Sequence, residues 1–90
     1  MTDGALTPAA IRAEILRQTA ARGPGKTLCP SEVARVLAAD WRPLMPAIRT
    51  EAAALAAEGR IAVRQKGAPA DPLTARGPIR LGLLSPPTPD

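Results

Sequence analysis

The chain has 90 residues and a formal net charge of +4, which fits one small basic domain. One cysteine and no histidine exclude an internal disulfide and a closed four-ligand zinc site, so we expect no metal or cofactor. No apolar run reaches the ~20 residues of a membrane helix, and residues 1–5 lack the basic start of a secretory signal, so we expect a cytoplasmic protein without membrane contact.

The first element after a disordered lead-in over residues 1–6 is a helix that begins at Thr7-Pro8. Threonine is a good N-cap, and proline suits the first helical turn. Apolar and small side chains then recur at helical spacing, at Ile11, Ile15, Leu16 and Thr19. The Gly23-Pro24-Gly25 segment ends this helix.

A second, short helix is predicted from Cys29-Pro30 to about Ala39. Glu32 lies three residues after Cys29, where its carboxylate can reach back to a free backbone N–H. The predicted apolar face consists of Val33, Val36 and Leu37.

Residues 40–46 are predicted to form a turn, because Pro43 and Pro46 interrupt a continuous helix. A third helix then runs from about Pro46 to Glu58 and ends at Gly59. Its inner face is Ile48, Ala52 and Leu55, and its outward residues are Arg49, Thr50, Ala53 and Ala57. Trp41 is the only aromatic residue, and we expect it to fill the gap between helices.

Two alternating segments follow the helices. In residues 60–64, Ile61 and Val63 face inward, and residues 79–83 alternate in the same way. Together they predict an antiparallel hairpin, joined by a long loop over residues 67–78 and open to a short added strand near residues 26–28. Residues 85–90 are too rich in proline to fold, so a single domain covers residues 7–84.

The order of these elements predicts an α+β fold of the winged helix-turn-helix type, with three helices followed by a two-stranded wing. Six segments of the chain carry a resemblance to known proteins: residues 22–26, 29–34, 41–45, 57–61, 65–67 and 76–80. They resemble a small bacterial family, a domain of unknown function numbered 3253 that is similar to winged-helix proteins. The resemblance spans roughly Ile11 to Leu83 and implies the same fold, but no activity.

The third helix is the first candidate site. In a helix-turn-helix the second helix of the pair enters the major groove, and its N-terminal residues meet base edges. Arg49 can bond guanine and Thr50 can meet a polar edge or a thymine methyl. Alternatively, Arg49 is an ordinary surface residue and the alanine-rich face packs against another protein.

The basic C-terminal part is the second candidate. Residues 59–84 contain five basic residues against Asp71 alone, whereas the rest of the chain is nearly neutral. We expect four of them, together with Arg42 of the turn, to contact DNA phosphates without distinguishing one base sequence from another. Exposed charges on a wing also discourage pairing between sheet edges, and this alternative stays open. The four predicted wing residues are Arg64, Lys66, Arg76 and Arg80.

Two functions fit these sequence features. The chain has no histidine or tyrosine, and its carboxylates are scattered, so no nucleophile, base and orienting group are placed together. We therefore expect no enzyme and no small-molecule substrate. The first hypothesis is a double-stranded DNA-binding module, in the manner of a transcriptional regulator. The alternative is a protein–protein interaction or homodimerisation module on the same scaffold.

Overall fold

A computed structural model describes residues 7–84 of the chain; the predicted lead-in and tail lie outside this range. Three helices and four strands make up the domain, and a short 3₁₀ helix (Arg42–Leu44) precedes the last of the helices. The helices are α1 (Pro8–Arg22), α2 (Pro30–Leu37) and α3 (Met45–Ala57). The strands are β1 (Thr27–Leu28), β2 (Ile61–Gln65), β3 (Ala68–Pro69) and β4 (Arg80–Leu83).

The predicted starts of α1 and α2 are confirmed by the hydrogen bonds that cap them. Thr7 Oγ1 accepts a hydrogen bond from the Ala10 N–H at 3.1 Å. Glu32 Oε2 accepts one from the Cys29 N–H at 3.0 Å, so this carboxylate satisfies a backbone donor that the helix itself leaves free. These local contacts fix where α1 and α2 begin.

The connection between α2 and α3 is more helical than the two prolines suggested. The 3₁₀ helix runs directly into α3, which begins at Met45 rather than Pro46. Pro43 and Pro46 each lie in the first turn of their segment, where the missing N–H has no intrahelical acceptor. Prolines therefore divide this stretch into two helical pieces without breaking it.

The end of α3 is a Schellman motif. The Gly59 N–H donates to Ala56 O at 3.0 Å and the Arg60 N–H to Leu55 O at 2.9 Å, and Gly59 has φ of 76°. We expect Gly59→Ala to lower the free energy of unfolding by about 1 kcal/mol, because a Cβ is disfavoured in this conformation. Urea denaturation measures the change. Gly59→Asn is the matched control, and it should cost less; equal costs would argue against a backbone origin.

The four strands form one antiparallel sheet in the order β1-β4-β2-β3. The predicted hairpin is confirmed as the β2–β4 pair, and β1 joins it as the added strand. The segment predicted as a long loop is more ordered than expected. A two-residue turn at Lys66-Gly67, with φ of 53° and 82°, folds β3 back onto β2.

The core lies between the three helices and one face of the sheet. It contains Ile15 of α1, Val33 of α2, Ile48 and Leu55 of α3, and Leu81 of β4, all fully buried. Val36 was predicted on the inner face of α2, and this was wrong: it is 59% exposed. The buried stripe of this two-turn helix uses Ala34 instead. Within residues 7–84, no helix is both long and apolar enough to cross a membrane.

The architecture is therefore α+β, with three helices and an antiparallel sheet, and it is compatible with a winged helix. In that description α2 and α3 are the helix-turn-helix pair. The wing is the segment of residues 61–83, from β2 to β4, and the sheet brings β1 beside it.

Candidate nucleic-acid interface

Two arginines stack on the single tryptophan: Arg42 of the turn between α2 and α3, and Arg35 of α2. Trp41 is half-buried against the core. The guanidinium carbon of Arg42 lies 4.6 Å from the centre of its ring, and that of Arg35 lies 4.8 Å away. Both distances suit cation–π contact. Trp41 thus fills a gap, as expected, and also holds the exposed Arg42 in place at the helix-turn-helix.

Arg49 makes contacts that its helical position alone did not suggest. Its guanidinium donates to three backbone carbonyls of the wing: Nη1 to Pro72 O at 3.2 Å and Ala75 O at 2.9 Å, and Nη2 to Gly77 O at 2.7 Å. The side chain is half-buried rather than directed away from the protein. In this structure Arg49 braces the wing against α3, and the N–H groups that make these bonds are not available to a base edge.

Thr50 and the small residues around it form the outer surface of α3. The Thr50 hydroxyl donates to Pro46 O at 3.1 Å, one turn earlier on the same helix. Pro46, Ala47 and Ala57 are exposed and uncharged. Such a surface can approach a neighbouring macromolecule closely, but it offers few groups that distinguish one base pair from another.

The four predicted wing residues are all exposed, and the fold brings them onto one hairpin. Arg64 and Arg80 are directly opposite each other on β2 and β4. Lys66 occupies the β2–β3 turn. Arg76 lies in the segment before β4, where Gln65 Nε2 donates to its carbonyl at 2.5 Å. The wing therefore presents four positive charges on a hydrogen-bonded frame.

Positive and negative charges are segregated in the described part of the chain. All four glutamates lie beside an arginine: Glu14 with Arg17, Glu32 with Arg22, and both Glu51 and Glu58 with Arg12. Within residues 7–84, the four wing cations have no such partner. Asp71 is the one carboxylate within residues 61–83 and pairs with none of these cations, so the wing has four basic residues against one acidic residue and keeps a net positive charge.

The sequence did not single out Lys26, Arg22 or Arg35 as part of the site. Pairing of β1 with β4 places Lys26 next to the wing. Arg22 reaches the same place through a bond from Nη1 to Thr27 O at 2.8 Å. The possible strand near residues 26–28 was the available signal, since a strand added to the hairpin brings its flanking cations along.

Comparison with known proteins gives one match. A family model described as a protein of unknown function, DUF3253, matches residues 8–84, which is nearly all of the described domain. A search of curated proteins found no match.

Proposed function

We propose that this chain, which belongs to the DUF3253 family of proteins of unknown function, is a non-enzymatic module that binds double-stranded DNA. The observation that carries the proposal is the set of four wing cations without carboxylate partners in the described range. Phosphates are the ligands for which guanidinium and ammonium groups are best suited. The helix-turn-helix arrangement adds support by analogy of fold.

The proposed binding mode has a backbone grip and a smooth helix. The wing and Arg42 contact phosphates, while the N-terminal half of α3, with Thr50 on its outer side, lies in the major groove. Arg49 is engaged with the wing in the free protein, and the other outward residues of α3 are small. We therefore propose that binding depends on the DNA backbone more than on base sequence.

Fluorescence anisotropy of a labelled random duplex of about two helical turns tests this proposal. The four wing cations and Arg42 make five phosphate contacts, which should give a slope of about 4 to 5 when log Kd is plotted against log salt concentration. Unrelated duplexes should differ in affinity by less than about fivefold, since phosphate contacts carry no sequence information. Arg17→Gln, which removes one charge from an exposed helix position, is the matched control and should leave the slope unchanged. No binding at low salt would refute the proposal.

A second candidate function is protein–protein interaction, and one groove favours it. A groove of about 340 Å³ is lined by Met45, Pro46, Arg49 and Thr50 of α3 and by Pro72 and Leu73 of the wing, and Leu73 is 61% exposed. A partner held by this apolar surface would bind with little dependence on salt, unlike a polyanion. Leu73→Ser should weaken such a complex and leave the affinity for DNA unchanged.

A further inference from the structure

The face of the sheet that points away from the helices contains a groove with a floor of small residues. The strand register aligns Thr27 of β1, Gly82 of β4 and Ala62 of β2 in one row. The adjacent row of residues along the same strands points to the opposite face of the sheet and belongs to the core. The groove above the small residues has a volume of about 360 Å³, and Lys26, Arg64, Gly25, Leu83 and Leu84 complete its lining.

Gly82 is needed for the shape of this floor. A Cβ at position 82 would lie 3.1 Å from Lys26 O and 3.2 Å from Thr27 Cγ2, tighter than ordinary contacts. A larger residue would push β1 away from β4 or fill the groove. The absence of a side chain here lets β1 pack closely and keeps the space above the sheet open.

Besides Lys26 and Arg64, which line the groove, Arg80 of β4 and Arg22 of α1 lie beside it through bonds to Thr27. Arg80 Nε donates to Thr27 Oγ1 at 3.0 Å and Arg80 Nη2 to Thr27 O at 3.2 Å. Arg22 Nη1 donates to the same carbonyl oxygen at 2.8 Å, so the two guanidinium nitrogens are at most about 6 Å apart. Thr27 therefore holds two cations near each other before any ligand arrives, which lowers the entropy lost on binding.

The charges of this cluster are poorly balanced within the protein. Arg64 and Arg80 are directly opposite on neighbouring strands, and like charges in that position destabilise a sheet. In the described part of the chain, Glu32 is the one carboxylate that pairs with the cluster, through Arg22. Lys26, Arg64 and Arg80 keep their charges. An arrangement that costs stability without a ligand, and is still held in place by hydrogen bonds, fits an anion-binding site.

We infer that the groove formed by Lys26, Thr27, Ala62, Arg64 and Gly82, with Arg80 beside it, binds a phosphate group. A phosphate offers oxygens to the guanidinium groups of Arg64 and Arg80 and to the ammonium group of Lys26. The groove is open, so it accommodates either a phosphodiester of a nucleic-acid strand or a free phosphate compound. In the first case the site extends the proposed function, on which that case rests, from the wing to the sheet face.

Amide NMR spectra of the ¹⁵N-labelled protein distinguish these sources. One sample is titrated with a 20-base-pair random duplex and another with inorganic pyrophosphate, with sodium chloride at matched ionic strength as reference. Shifts of the Thr27 and Gly82 amides with both, or with the duplex alone, support the site and the proposed function. Shifts of these two amides with pyrophosphate alone support the site as one for a free phosphate compound, and they refute DNA binding as well if no other amide of the domain moves with the duplex. Unmoved Thr27 and Gly82 amides in both titrations would overturn the inference.

Two substitutions in the groove, Arg64→Gln and Ala62→Leu, and one control outside it test the site. Arg64→Gln should weaken binding of the active probe about tenfold, the loss expected for a charge-assisted hydrogen bond. Arg17→Gln is the matched control: it removes the same charge from an exposed position of α1, outside the groove and the wing, and should change affinity for either probe less than about twofold. Ala62→Leu fills the groove without altering charge and should weaken binding as Arg64→Gln does. Pyrophosphate binding of parental strength in Ala62→Leu would place the anion outside the groove and overturn the inference.

Discussion

Arg49→Ala is expected to lower the free energy of unfolding by about 2 kcal/mol, more than an ordinary surface substitution. The side chain makes three hydrogen bonds from a charged donor to Pro72, Ala75 and Gly77. Each such bond contributes about 1.5–3 kcal/mol when shielded from water, and partial exposure reduces the total. Urea denaturation followed by circular dichroism measures the change.

The matched control is Arg76→Ala, because Arg76 is an exposed arginine of the same segment. It should change stability by less than about 0.5 kcal/mol. Arg49→Lys should recover less than half of the loss, since one ammonium group cannot reproduce the planar fork that reaches three carbonyls. Equal stabilities of Arg49→Ala and Arg76→Ala would contradict the bracing role.

Hydrogen exchange locates the effect of the same substitution. The Ala75 N–H donates to Asp71 O at 2.8 Å in the turn that Arg49 holds from outside. Without Arg49 this amide should exchange faster relative to the amides of β4, because the turn opens locally while the sheet stays intact. The brace therefore links the outer edge of the helix-turn-helix to the geometry of the wing.

The sequence predicted the helices and the hairpin because their signals are local. Thr7 caps α1, Glu32 caps α2, and Gly59 ends α3, each through atoms within a few residues of one another. The alternation in β2 and β4 placed Ile61 and Leu81 in the core. These features depend on spacing along the chain, which the sequence displays directly.

The contacts of Arg49 could not be predicted in this way. Its acceptors lie 23 to 28 residues further along the chain, on carbonyls of an irregular segment. Helical position alone indicated an outward side chain and gave no reason to expect these partners. The same limit applies to Val36, since in an eight-residue helix the choice between two adjacent apolar faces depends on what packs against them.

The sequence identified several cations of the candidate site but not how far the site extends. Arg64 and Arg80 were identified from the alternation of the strands, and the structure places them opposite each other. Lys26 and Arg22 join them through the pairing of a two-residue strand and a side-chain bond to Thr27 O. A two-residue strand leaves no periodic pattern in a sequence, and its partners depend on the completed sheet.

A variant in which all four wing cations are replaced by glutamine should lose DNA affinity by about 100-fold or more at low salt. The slope of log Kd against log salt concentration should fall by about 3 to 4, because each phosphate contact contributes about 0.9 to it. The variant combines Arg64→Gln, Lys66→Gln, Arg76→Gln and Arg80→Gln.

The effect of net charge on affinity must be separated from the effect of where the charges lie, because the four substitutions reduce the net charge from +4 to zero. Four exposed alanines of α1 allow a control with the same net charge: Ala9→Glu, Ala13→Glu, Ala20→Glu and Ala21→Glu. The two variants are compared at 0.1 M salt, where screening over about 10 Å confines each charge to its own surroundings, so this control should keep most of the affinity and the parent's slope. If both variants weaken binding equally, net charge rather than the wing is responsible. If the wing variant binds like the parent, the phosphates are held by another part of the domain.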